Sequence, residues 1–296
     1  MDSRKIVVGV DGSPASVAAA RWAALEAQRS GVELEILVAY HWRMPGVLRA
    51  ARTERIKEVE DRVAAIADAA VTEARAAAPR ATVHGKAVLG EPAPVLVEAG
   101  DRAGLLVVGN RGGGGFASLL AGSVSVRVAT QASCPVVVVR GDAGRDTGPV
   151  VVGVDGSAPA DIALTAAFEE ASRRRSSLTA VHTYTEPLTP WPVGMQPIGY
   201  DTDTVRADLS ADLVNRTAGW RDKYPDVPVD HVVAKGGAAA SLTTLSQDAQ
   251  LVVVGTRGHS TTGELLLGSV GLQLLHHAAC PVLIVRSEAQ STGGQR

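Results

Sequence analysis

Residues 6–13 read IVVGVDGS and residues 150–157 read VVVGVDGS, identical at seven of eight positions. A short, continuously apolar and mostly β-branched run that stops at Asp-Gly-Ser reads as a buried strand, a turn and the start of a helix. Pro14 follows Ser13 directly, and a serine N-cap with proline at the first helical position marks a helix start. A second block repeats as well: residues 105–140 align without a gap on residues 251–286 at 17 of 36 positions. The offset is 144 at the first block and 146 at the second. The chain is therefore a duplicated domain.

Outward from the first block, strands are expected at 5–10, 34–40, 82–88, 105–108 and 136–140, each bounded by Gly, Pro or Ser. Helical patterns fill 14–29, 54–78, 92–100 and 124–132. In the longest of them Ile56, Val59, Val63, Ile66 and Ala70 fall on one helical face. Alternation of strand and helix predicts an α/β fold with a doubly wound parallel sheet in each copy; the five strands are taken in the order 3-2-1-4-5, one that such sheets adopt. The copies are placed at 1–140 and 149–287, with a flexible, glycine-rich linker over 141–148 and a disordered tail at 288–296. The stretch 185–200 carries four prolines and is read as a surface loop before a long helix at 202–220.

Composition narrows the function. The 296 residues are 20% charged and 46% apolar, with a formal net charge of −2 and ten aromatics. That profile lacks the basic footprint and stacking platforms of a nucleic-acid binder. Two cysteines cannot build a disulfide framework or a four-cysteine zinc site, and they fit a reducing compartment, so the cytoplasm is the expected location. No signal-peptide core and no 18-residue apolar run is visible, so neither a leader nor a membrane span is expected. Cys134 and Cys280 each precede a proline at the start of an apolar strand and read as small core residues. No G-x-x-x-x-G-K-[ST] motif occurs, which excludes a P-loop ATPase.

The loop after the fourth strand carries the chemistry. Gly109-Asn110-Arg111-Gly112 is followed by nine residues and then Gly122-Ser123; Gly255-Thr256-Arg257-Gly258 is followed by nine residues and then Gly268-Ser269. Glycines there permit close ligand approach, and the helix start that follows offers free N–H groups and a positive dipole end. A phosphate suits it. In the expected strand order the sheet reverses direction between strands one and four, where ligands of open parallel sheets bind. Asp11 and Gly109 then face one crevice, Asp155 and Gly255 another. A carboxylate beside a phosphate cradle suits ribose hydroxyls or a magnesium ion already held by phosphates.

The GVDGS turn, the G-x-x-G-x9-G-S loop and the Cys-Pro-Val strand resemble the universal stress protein family in its tandem two-domain form, and the glycine spacing resembles its ATP-binding branch. The resemblance spans about residues 3–140 and 149–287. It implies a five-stranded α/β domain holding ATP, with magnesium, in each copy. Asp11 would meet ribose or metal-bound phosphate, within the turn that also holds Gly12 and Ser13. Ala39 would lie near adenine, and Val108 and Gly109 would line the nucleotide. Gly112, Gly122, Ser123 and Ser125 would hold phosphates, with Arg111 and Val124 in the same loop.

In the second copy these places fall to Asp155, Gly156, Ser157, Thr183, Val254 and Gly255, then to Arg257, Gly258, Gly268, Ser269 and Val270. Gly271 stands where the first copy has Ser125, and Gly237-Ala238 where it has Glu91-Pro92, so the first site is expected to bind more tightly. The function implied is that of an ATP-binding stress-response regulator whose nucleotide occupancy alters its shape or its protein partner. The alternative is a slow ATP hydrolase or nucleotidyl-transfer enzyme. No catalytic residue and no protein-held metal site is assigned. The last strands, 136–140 and 282–286, are expected to pair the two halves within the chain about a pseudo-two-fold axis, and a homodimer is a further expectation.

Overall fold

The computed structural model describes residues 5–41, 52–112, 122–185, 202–256 and 267–286, with 52–55 described by backbone alone. The first copy runs β1 (Ile6–Gly9), α1 (Pro14–Ser30), β2 (Leu34–Tyr40), α2 (Arg52–Ala77), β3 (Val83–Leu89), α3 (Pro92–Gly100), β4 (Leu105–Gly109), α4 (Ser123–Gln131) and β5 (Val136–Val139). The second runs β6 (Val150–Gly153), α5 (Ala158–Arg174), β7 (Leu178–Tyr184), α6 (Thr202–Lys223), β8 (Val229–Lys235), α7 (Ala238–Leu245), β9 (Leu251–Gly255), α8 (Ser269–His277) and β10 (Val282–Val285). The expected loop at 185–200 falls almost wholly, and the tail at 288–296 wholly, outside the described residues.

Local chemistry explains the helix starts. Ser13 Oγ accepts from Ser16 N at 3.2 Å, and Ser157 Oγ from Ala160 N at 3.4 Å, each ahead of a proline in the first turn. Gly12 and Gly156 both sit at φ +81°, a left-handed conformation that costs glycine nothing and a side chain a good deal. The Asp-Gly-Ser turn is thus a sharp corner into a capped helix.

The strands form one ten-stranded sheet in the order β3-β2-β1-β4-β5-β10-β9-β6-β7-β8. Within each copy every pairing is parallel. The expected pairing of the last strands is present and antiparallel, with Val282 opposite Val138, Leu283 opposite Val137 and Ile284 opposite Val136. Neither apolar strand is left as an open edge. Helices α1, α2, α5 and α6 cover one face of the sheet, and α3, α4, α7 and α8 the other.

Residues 141–148 differ from the flexible linker expected of their composition. Asp142 N donates to Ala279 O at 2.8 Å, and Gln250 Nε2 to Gly148 O at 2.6 Å. Gly141 is at φ +57°, and a β-carbon on it would fall 1.9 Å from Ala279 O. Its glycine serves a close crossing against the second domain.

Where α1 and α5 meet across the domain seam lies a buried charge network that hydrophobic periodicity does not reveal. Glu26 is fully buried and Glu170 is 2% exposed. Arg174 bridges them, Nη2 to Glu26 Oε2 at 2.7 Å and Nε to Glu170 Oε2 at 3.1 Å, with its guanidinium 5.5 Å from the Trp22 ring centre. Arg173 donates to Glu170 and Arg29 to Glu26 from the rim. Burial, then the neighbouring Glu26, pushes the Glu170 carboxyl upward, against the pull of Arg174 and Arg173.

Candidate functional site

Two cavities, of about 310 and 230 Å³, open beyond the carboxyl ends of β1 and β4 in the first domain and of β6 and β9 in the second. These are the points where strand order reverses. A larger cleft of about 750 Å³ lies at the opposite, amino ends of β1 and β4, among Lys5, Glu33, Glu169 and Arg173. Its charges are mixed, and Lys5 is held by Glu35 at 2.6 Å. Position in the fold, not size, therefore singles out the two smaller cavities.

The first cavity gathers Asp11, Ala39, Val108 and Gly109 with the loop residues Arg111, Gly112, Gly122, Ser123, Val124 and Ser125. Close packing accounts for the glycines. A β-carbon on Gly109 would lie 2.8 Å from Ala15 O at the start of α1, and one on Gly112 would lie 2.4 Å from Asp11 Oδ2. Asp11 Oδ1 accepts from Ser13 N at 3.0 Å. Helix α4 opens on Gly122 without a side-chain cap and without an acidic residue in its first turn, unlike the serine-capped α1. Its leading N–H groups keep their capacity for an anion.

Three placements differ from the expected ones. Gly12 and Ser13 do not line the cavity; the glycine makes the turn, and the serine caps α1 and lies 3.5 Å from Arg111 O. Gly156 and Ser157 likewise stay outside the second cavity, with Ser157 Oγ donating to Asp155 Oδ1 at 2.6 Å. Ser125 lines the first cavity but is 2% exposed, and its hydroxyl donates to Gly122 O at 2.8 Å, with Asn110 O at 3.3 Å. It clasps the loop from within, as a serine bonding back into its own helical turn does.

The second cavity gathers Asp155, Thr183, Val254, Gly255, Gly268, Ser269 and Val270. Arg257 and Gly258 lie outside the described residues. A β-carbon on Gly271, at Ser125's place, would fall 2.8 Å from Leu267 Cδ1, so a serine there would crowd that side chain. Residues that motif reading missed complete the walls: Gly9, Val10, Ser16, Leu37, Pro92 and Leu96 in the first site, and Ala160, Val181, Leu242 and Thr256 among those of the second. Leu37 and Val181 occupy matching places on β2 and β7, a signal the repeat itself could have supplied.

Among the described residues, no group of three or more His, Cys, Asp or Glu is placed to hold a metal ion, and each cavity offers one carboxylate. No described helix is long and apolar enough to cross a membrane. Both cysteines are buried, and burial pushes the Cys134 thiol up to about 11 and the Cys280 thiol to about 12, which suits packing and not nucleophilic chemistry.

The comparison with known proteins agrees with this architecture. The family model described as "Universal stress protein family" matches residues 3–140 and again residues 147–286. Universal stress protein Rv2623 of Mycobacterium tuberculosis is 35% identical over 295 residues, covering 95% of this chain and 96% of the relative. Universal stress protein Mb2028c of Mycobacterium bovis is 36% identical over 293 residues, with coverage of 95% and 96%. In fold, the crystal structure of a universal stress protein from Archaeoglobus fulgidus matches with a TM-score of 0.73 over 98% of this chain and 100% of that one, at 20% identity. With two copies of the family's domain in one polypeptide, this chain belongs to the universal stress protein family.

Proposed function

We propose that the chain is a cytoplasmic ATP-binding regulator of a stress response. In this reading ATP occupies the first cavity, and more weakly the second, and nucleotide occupancy alters contacts with a protein partner. The observation that carries the reading is the first cavity itself: a carboxylate at the end of β1, an uncapped helix start at Gly122-Ser123 and an apolar floor of Val108, Leu37 and Ala39 converge on one space. Apolar walls with a few placed polar groups suit a purine, a ribose and a phosphate chain together. Asp11 would meet the ribose or a magnesium ion. A single carboxylate fits an ion carried mainly by the phosphates, not a protein-held metal.

The smaller second cavity and its different loop favour the first site. Calorimetry with ATP and magnesium tests both. Gly122→Glu puts an anion where phosphate would rest and should weaken the first site by about a hundredfold or more, as loss of several charge-assisted contacts does. Gly268→Glu should remove the second site alone. Unchanged binding in both variants would sink the reading. Turnover should stay below about one per minute, against about ten per second for an ordinary enzyme, because the carboxylate that the described residues bring to each site already accepts from its own turn. Steady release of phosphate near one per second, abolished by Gly122→Glu, would instead support the hydrolase.

A further inference from the structure

Positions 140 and 286, the last matched pair of the longer repeat, are both arginine. Each directly follows the last strand of its own domain and crosses the seam. Arg140 donates from Nη1 to Leu274 O and from Nη2 to His276 O, both at 2.8 Å, in the last turn of α8. Arg286 donates from Nη2 to Ala129 O at 2.5 Å and to Thr130 O, in the last turn of α4. A cation at this end of a helix satisfies terminal carbonyls and meets the negative end of the dipole.

The opposite ends of these two helices are the anion-facing ones, opening at Gly122-Ser123 and Gly268-Ser269. Each helix has nine residues, about 13 Å of rigid rod between the arginine and the cavity. The residue before each arginine also anchors its own domain's loop: Val139 O accepts from Asn110 N at 3.0 Å, and Val285 O from Thr256 N at 3.2 Å. One arginine therefore joins the phosphate loop of its own domain to the phosphate helix of the other.

We propose that Arg286 is a positioning residue for the first nucleotide site and Arg140 for the second, so that each domain sets the helix on which the other's phosphates rest. The inference rests on the nucleotide reading above. Short helices owe their placement to tertiary contacts, and hydrogen bonds from their first turn weaken steeply with misalignment. A change at the carbonyl end of α4 or α8 is thus felt at the phosphate end. Ligand in one site pulls on its own loop, hence on its own arginine, and the two affinities are coupled.

The test uses the full chain with one site blocked at a time. With Gly268→Glu closing the second site, Arg286→Met should weaken ATP binding at the first by about three- to tenfold. With Gly122→Glu closing the first, Arg140→Met should do the same at the second, and each arginine should leave its own domain's site within about twofold. Arg140 and Arg111 repel one another, so Arg140→Lys, which keeps the charge and loses the fork, separates positioning from field effects. Should a blocking variant fail to fold, hydrogen exchange on the unblocked chain gives the same answer without ligand. Arg286→Met should speed exchange at the bonded amides of Gly122 and Val126 and spare those of Gly268 and Leu272; Arg140→Met should do the reverse. If each substitution acts on its own domain's site, or on both equally together with a loss of melting temperature, the arginines are merely structural and the proposal fails. An unmutated chain that binds no ATP would instead overturn the nucleotide reading, and this proposal with it.

Discussion

Arg174→Met is expected to cost about 3–5 kcal/mol of stability, the range for removing one partner from a buried ion pair. Arg174 lies between Glu26 and Glu170, both buried, and its side chain is itself 2% exposed. Without it two carboxylates face one another, supported among the described residues by the rim cations Arg29 and Arg173. Protonation becomes the escape. Burial and Glu26 already raise the Glu170 pKa, and Arg174 is first among the groups that lower it, so the substitution raises it further. A carboxyl whose folded pKa exceeds its unfolded value contributes stability fully below the unfolded pKa, and loses that contribution as pH rises through the folded one. The penalty should therefore be larger at pH 8 than at pH 5. Urea unfolding at both values measures it. A loss under about 1 kcal/mol, as a surface pair would give, or one that grows toward low pH would count against this reading of the network. Replacing Glu26 and Glu170 by leucine together with Arg174→Met should recover most of the loss, since an apolar set leaves no charge unpaired.

The same network marks the limit of what the sequence made legible. The strands, the capped turns and the glycine spacing could be read because each obeys a local rule: continuous apolar runs, Ser-Pro at a helix start, helix-opening glycines at fixed distance. Duplication turned each weak local rule into a strong one. Glu26 and Glu170 recur at the 144-residue offset too, yet nothing local shows that they are buried, because burial comes from α1 meeting α5 across the seam. Ser125 illustrates a different miss. A serine near a phosphate loop can face the ligand or its own helix turn, and the structure takes the second course. In the linker, composition predicts freedom, whereas Gly141 and Gly148 allow the backbone to pass close to residues 279 and 248. The apolar cavity walls carry no local signal, because Leu96 and Leu242 belong to helices without a motif of their own.

The second large effect is expected at the seam between the two halves of the sheet. Leu283, 1% exposed, lies opposite Val137, also 1% exposed, in the β5–β10 pair, and both belong to the apolar cluster beneath α1 and α5. Leu283→Asp places a carboxylate there without a partner, and the cost should reach about 4 kcal/mol or more at pH 8. Leu283→Val, which removes volume and adds no charge, should cost about 1 kcal/mol. The aspartate can be relieved by protonation, so its penalty should shrink toward pH 5. It can also be relieved by parting β10 from β5, which wets the new charge and hydrates Glu26 and Glu170 at the same stroke. Parting exposes two apolar edges, which invite self-association. Hydrogen exchange decides between local parting and global unfolding. If each half of the duplicated chain is a cooperative unit, protection should vanish first at residues 136–139 and 282–285 while β1 and β4 stay protected. X-ray scattering should then show an elongated or associating chain at pH 8. A compact monomer with unchanged melting would mean that the antiparallel pairing at the seam contributes little, and that α1 against α5, with the Arg140 and Arg286 contacts, holds the two domains together.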